Sequence, residues 1–308
     1  MPDDGDSGFA AQCRRYVVLK LLVTGASGFT GRHFVARGRA CGHEVVALQA
    51  NLNDKAGLRD ELVQVAPQAV VHLGAISFVG HAEARAFYDV NLIGTLNLLD
   101  GLAALAQPPR SILLASSANV YGNCAQSPIT EDQPPAPVNH YAMSKLAMEH
   151  MARTYLDRLP LFFVRPFNYT GPGQAASFVI PKLVAHFARR AGAVELGNLD
   201  VEREFNDVRF VCEAYLRLLE KAKPGDVFNI CSGQPVTLTS VLALLSQITG
   251  HSLQVNVNPA FVRNNEIHRL CGSPAKLVAV AGDIAQPPLQ ETLRWMLEPD
   301  ADPAAQPT

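Results

Sequence analysis

Apolar residues in the first half of the chain fall into short unbroken runs separated by longer stretches of helical period. The runs at 16–24, 44–48, 69–75, 111–116 and 161–165 are rich in Val, Leu and other apolar residues and lack the alternation of a half-exposed strand. Between them, 33–40, 58–65, 83–106 and 140–159 carry apolar residues at helical spacing, the first closed by Gly42. Strands apolar on both faces and alternating with helices predict an α/β fold, a doubly wound parallel sheet with helices on either side. Past Pro166 the rhythm loosens. Helices at 179–191, 208–222, 238–250 and 289–297 alternate with short strands within 194–206 and at 227–231 and 253–257. The expected organisation is a main domain over 16–166, to which 205–232 returns, and a smaller mixed α/β lobe of 167–204 and 233–298. The polar ends, 1–15 and 299–308, read as disordered tails.

Composition narrows the classes of function. The 308 residues are 48% hydrophobic and 18% charged, enough apolar material for a sizeable core. A formal net charge of −2 argues against a nucleic-acid binder, although a local basic pocket for a small anion remains open. No apolar stretch approaches the ~18 residues of a membrane span. The six cysteines are scattered, without the short spacings of a zinc site, so no metal is expected. The first residues, MPDDGDSGFAAQC, lack the basic region and apolar core of a signal peptide, and a cytoplasmic protein is expected.

Candidate chemistry begins where the first strand meets the first helix, at Thr24-Gly25-Ala26-Ser27-Gly28-Phe29-Thr30-Gly31. Gly25 permits a sharp turn, Gly28 lets backbone approach a pyrophosphate, and Gly31 allows close packing of helix on strand. The helix N-terminus adds unpaired N–H groups and a positive dipole end. In this strand–turn–helix setting the pattern points to a dinucleotide, and so to a Rossmann-type sheet. The second strand ends in Leu48-Gln49-Ala50, without the carboxylate that holds the ribose of NAD, whereas Arg32 is placed to meet the 2′-phosphate of NADP. NADP(H) is therefore favoured over NAD(H). Tyr141 and Lys145 stand four apart on one face of a helix that follows a strand ending in Ser116 and Ser117. In such sheets ligands bind at the carboxyl ends of the strands. There Tyr141 would exchange a proton with a substrate oxygen, Lys145 would lower its pKa, and Ser117 would hold the same oxygen.

TGASGFTG, HLGA (72–75), NLIGTLNLL (91–99), SSANVYG (116–122), YAMSK (141–145), RPFNYTGPGQ (165–174), REFNDV (203–208) and FNICSG (228–233) together resemble the extended short-chain dehydrogenase/reductase family. The resemblance covers nearly the whole chain between the tails. It implies a catalytic set of Ser117, Tyr141 and Lys145. It implies a cofactor site of Gly25, Ser27, Gly28, Phe29, Thr30, Gly31, Arg32, Asn51, Leu52, Leu73, Gly74, Ala75 and Asn91, joined by Tyr141 and Lys145. Asn51 replaces the Asp that the family usually places against the adenine. The second half is most similar to GDP-4-keto-6-deoxymannose reductases and GDP-mannose 4,6-dehydratases. It implies a nucleotide-sugar site of Ser77, Asn119, Asn168, Val179, Lys182, Arg203, Arg263 and Glu266, with the arginines clamping the diphosphate. It also implies a homodimer paired through the helices at 83–106 and 140–159.

The resemblance also sorts reactions. Family dehydratases carry a carboxylate two residues before the Tyr of Val-Tyr-Gly, where this chain has Asn119, and an amide cannot take a proton in its place. Family 3,5-epimerase-reductases carry a cysteine directly after the Ser pair, where this chain has Ala118. Reduction of a 4-keto sugar remains, with GDP-4-keto-6-deoxy-D-mannose as expected substrate and GDP-D-rhamnose or the 6-deoxytalose epimer as product, for cell-surface polysaccharide. A nucleotide-sugar 4-epimerase, or a dTDP-4-keto-6-deoxyhexose reductase, would use the same triad. The non-enzymatic alternative is a dinucleotide-sensing regulator, a class that usually lacks the Tyr and Lys.

Overall fold

The computed structural model describes residues 16–77, 83–259 and 268–298; the expected tails, and Arg263 and Glu266, lie outside them. The first half builds β1 (Lys20–Thr24), α1 (Phe29–Ala40), β2 (Glu44–Ala47), α2 (Lys55–Val65), β3 (Ala69–His72), α3 (Ala84–Tyr88), α4 (Thr95–Ala103), β4 (Ser111–Ala115), α5 (His140–Arg153) and β5 (Leu161–Pro166). The second half continues with β6 (Tyr169–Thr170), α6 (Val179–Ala188), β7 (Ala193–Leu196), β8 (Glu202–Arg203), β9 (Asn206–Asp207), α7 (Val208–Lys221), β10 (Val227–Ile230), β11 (Val236–Thr237), α8 (Leu238–Thr249), β12 (Gln254–Val257), β13 (Arg269–Leu270), α9 (Ala275–Ala281) and α10 (Leu289–Leu297).

Six strands form one parallel sheet in the order β10-β5-β4-β3-β1-β2, in register from Val23 opposite Ala47 and Val71 to Val227 opposite Phe163. The order reverses between β1 and β3, and the crevice outside their carboxyl ends is where such a sheet binds ligands. The strands are unbroken apolar runs because both faces are covered. On one face Leu21, Val23, Val71 and Phe162 pack with Phe34 of α1 and Val211, Tyr215 and Leu218 of α7. On the other, Leu22, Val70, Ile112 and Phe163 pack with Leu58 and Leu62 of α2, Leu98 and Leu102 of α4, and Met148 of α5. Each such side chain, fully buried, contributes roughly 1.5–3 kcal/mol. A third core joins Ile180, Leu183 and Phe187 of α6 to Val194 of β7, Val241 and Leu245 of α8, and Leu293 of α10.

The elements differ from the sequence pattern in four instructive places. α1 starts at Phe29, four residues before the apolar period begins, so its N-terminus lies inside the glycine turn. β3 stops at His72, leaving Leu73 to Ala75 as a loop at the strand end. The segment expected as one helix over 83–106 is α3 and α4 joined by a π-helical turn, Asp89–Gly94, whose wider winding carries the buried Asn91. α5 ends at Arg153 rather than 159, where Thr154 and Tyr155 donate to carbonyls only three residues back. Among the described residues, no helix is long and apolar enough to cross a membrane.

Candidate active site

The glycine turn is shaped to take a pyrophosphate. Gly25 has φ +68°, and a Cβ there would lie 2.8 Å from Gly74 N, so backbone from β1 and β3 meet without room for a side chain. A Cβ on Gly31 would come within 2.1 Å of Gly25 O. Gly28 precedes α1 and offers no side-chain cap, which leaves the first helical amides open to an anion. These residues fit a dinucleotide. Leu52 packs beside Gly74 and Gly94, and its carbonyl accepts from Asn97 Nδ2 at 2.8 Å. Ser27 and Asn51 are exposed, Asn51 accepting from Asn53 N–H at 2.9 Å. Phe29 stacks on Tyr169, and the Thr30 and Tyr169 hydroxyls are 2.6 Å apart. Arg32 donates to Ser27 O at 3.3 Å and Gly173 O at 2.9 Å, joining the turn to the loop after β6.

Beneath this turn a buried histidine connects three elements. Thr95 Oγ1 donates to Asn91 O at 2.8 Å and therefore accepts from His72 Nε2, 2.8 Å away. The proton on Nε2 makes Nδ1 the acceptor, so Thr24 Oγ1, 2.7 Å away, must donate to it. Thr24 Oγ1 in turn accepts from Gly74 N–H at 3.0 Å. Burial, reinforced by the Lys145 cation, pushes the His72 pKa down to about 3. His72 is a neutral strut of fixed tautomer, holding the end of β1 to β3 and to the π turn.

α5 carries the reactive groups. Asn139 caps it by accepting from Ala142 N–H at 2.8 Å, which sets Tyr141 and Lys145 in its first two turns. Ser117, at the end of the segment after β4, caps a short 3₁₀ turn. Its Oγ accepts from Asn119 N–H at 3.2 Å and from Asn119 Nδ2 at 3.3 Å. With both lone pairs engaged, its O–H is left to donate, and its side chain lies beside Tyr141. Burial raises the Tyr141 pKa above the phenol range, against the lowering expected from Lys145, and only the Ser117 hydroxyl pulls it part of the way back. Lys145 Nζ donates to Ala115 O at 2.7 Å; burial lowers its pKa to about 8 against the opposing pull of Glu149.

Glu149 continues the same helix face one turn on and is held by Arg165 of β5 through two bonds of 2.9 and 2.7 Å, both side chains buried. Arg165 also lies over the Tyr121 ring, 4.9 Å from its centroid. The π turn is tied in as well. Asn91 bonds both backbone groups of Ile76 and donates to Ser144 Oγ at 3.0 Å, while Ser144 donates to Tyr141 O. Sequence reasoning missed Thr24, His72, Ser144, Glu149 and Arg165. The spacing 141, 145, 149 on one helix face was the available signal for Glu149.

The residues expected at the nucleotide sugar sit on separate elements. Ser77 and Asn168 are exposed, and the Asn168 carbonyl accepts from Asn206 N–H at 2.9 Å. Arg203 donates to Glu202 O at 2.9 Å and His268 O at 3.1 Å. Val179 opens α6, and Lys182 one turn later donates to Glu195 O of β7 at 2.7 Å. Beside Lys182 lies an open cavity of about 430 Å³ lined by His186, Glu195 and Asn256.

Against known proteins, residues 21–231 match the family model described as the NAD dependent epimerase/dehydratase family. This chain belongs to that family. GDP-6-deoxy-D-mannose reductase of Pseudomonas aeruginosa is 37% identical over 90% of this chain and 96% of its own. GDP-6-deoxy-D-talose 4-dehydrogenase of Aggregatibacter actinomycetemcomitans is 35% identical over 86% of this epimerase/dehydratase chain and 92% of its own. The solved structure of RMD from Pseudomonas aeruginosa complexed with NADPH superposes with a TM-score of 0.84 at 35% identity, covering 92% of this chain and 98% of that one.

Proposed function

We propose that this protein is a nucleotide-sugar 4-ketoreductase of the cytoplasm. It reduces GDP-4-keto-6-deoxy-D-mannose with NAD(P)H to GDP-D-rhamnose or its 6-deoxytalose epimer. The observation that carries the reading is the immediate surroundings of Ser117. Ser117 lies beside Tyr141, with Lys145 one helical turn further along α5, while the neighbouring positions hold Ala118 and an Asn119 engaged with Ser117, so those two positions supply neither an extra acid nor a thiol. The two relatives above act, by their names, on GDP-6-deoxyhexoses, which supports GDP as the nucleotide.

The bound nicotinamide supplies the hydride for C4. Tyr141 gives its hydroxyl proton to O4, a role suited to a phenol that burial keeps protonated. Ser117 directs its O–H to the same oxygen and orients the ketone. Lys145, cationic below about pH 8, stabilises the phenolate left behind. Asn168, Lys182 and Arg203, with Arg263 and Glu266, are the proposed nucleotide contacts, and the protein is proposed to pair through the helices carrying α4 and α5. The test incubates the protein with GDP-4-keto-6-deoxymannose and reduced nicotinamide and follows cofactor oxidation alongside the sugar product. Stoichiometric oxidation with a 6-deoxyhexose product is expected. Turnover of the sugar without net cofactor oxidation would replace the reductase with an epimerase.

A further inference from the structure

The carboxylate that β2 lacks in sequence is present at its end in space. β1 and β2 run side by side, with Val23 opposite Ala47, and Leu48 N–H donates to Val23 O at 2.9 Å. Residues 48–50 therefore leave the sheet level with the start of the glycine turn. Gln49 N–H donates to Glu61 Oε1 at 2.9 Å, and Ala50 N–H donates to Glu61 Oε2 at 2.6 Å. A side chain of α2 thus places a carboxylate on the last amides of β2. In a sheet of this topology the adenosine ribose lies there; a carboxylate accepts from its 2′-hydroxyl, whereas a 2′-phosphate calls for a cation. Each Glu61 oxygen accepts one amide and keeps lone-pair capacity for a hydroxyl.

Two cations of the neighbouring helices are directed elsewhere. Arg32 donates from Nη1 to Ser27 O and from Nη2 to Gly173 O. Arg59 is exposed and two residues from Glu61, hence about 200° around the helix from it.

We propose that Glu61 reads the 2′-position of the cofactor: it binds the free ribose hydroxyl of NAD(H) and opposes the 2′-phosphate of NADP(H). A carboxylate that merely tied the 48–50 loop to α2 would, on removal, weaken both cofactors alike. The test measures dissociation constants for NADH and NADPH by fluorescence titration of wild type, Glu61→Gln and Glu61→Ala. Wild type should bind NADH about tenfold more tightly, a ratio worth ~1.4 kcal/mol. Both variants should bring the ratio close to one, chiefly by binding NADPH more tightly. A ratio unchanged in both variants, or wild type binding NADPH more tightly, overturns the proposal. These constants involve no sugar, so failure of the ketoreductase reading would leave them untouched.

Discussion

His72 occupies the site as a neutral group, and its pH behaviour follows from that. In the unfolded chain a histidine titrates near 6.5, whereas burial and the Lys145 cation hold His72 at about 3. As pH falls the unfolded chain takes the proton first. The stability that His72 contributes is complete above about pH 6.5 and is lost between there and about pH 3, on the order of 5 kcal/mol in all. His72→Gln keeps one donor and one acceptor and does not titrate. Urea midpoints measured from neutral pH down to about pH 4 should therefore fall more steeply for wild type than for His72→Gln; parallel slopes would mean that His72 takes up its proton as readily in the fold as in the unfolded chain. The sequence displays this residue within HLGA but not its role, because the partners, Thr24 and Thr95, come from β1 and α4. Glu61 was hidden for the same reason: a search for an acid along β2 misses one delivered by the next helix. The glycine turn and Tyr141–Lys145 were legible because their geometry is local, set by a turn and by one helical repeat.

Among the elements, α5 and β5 are joined by the Glu149–Arg165 pair, directly below Lys145. Both side chains are buried, so the pair is costly to half-remove: a lone Glu149 carboxylate would remain desolvated. Arg165→Met should lower stability by about 3–5 kcal/mol, and the double variant Glu149→Gln/Arg165→Met should recover most of it. Thermal unfolding of the three proteins measures this, and a double variant no better than the single one would show that the loss came from packing over Tyr121. Strands and helices were readable here from apolar period alone, since both faces of the sheet are covered. The π turn was not. Its six residues, DVNLIG, keep the apolar character of a helix, and what widens the turn is tertiary: Asn91 reaches across to Ile76 and Ser144.

For the whole molecule, the apolar surface that bears on assembly lies on the same helices. α4 and α5 turn Leu98, Leu102, Met148 and Ala152 to the sheet, yet Met143 of α5 is 44% exposed, and Ile93 of the π turn 42%. Val138, just before α5, adds a third large apolar side chain at the surface. Single exposed apolar residues need no explanation, but three on adjoining elements suit a helix pair that meets its copy in a four-helix bundle. The surface ion pair Arg85–Asp89, beside the π turn, is open to water and contributes little to holding such an interface. If the bundle forms, Ile93→Asp together with Met143→Asp places four carboxylates in it and should convert a micromolar dimer to monomer by sedimentation equilibrium. Wild type that stays monomeric at every concentration removes the dimer, and a double variant that remains dimeric moves the interface to another face. Activity supplies an independent reading of the same equilibrium. Tyr141 and Lys145 ride on α5, so if that dimer forms through α5, specific activity of wild type should fall on dilution through the dissociation constant while that of the variant stays low and flat.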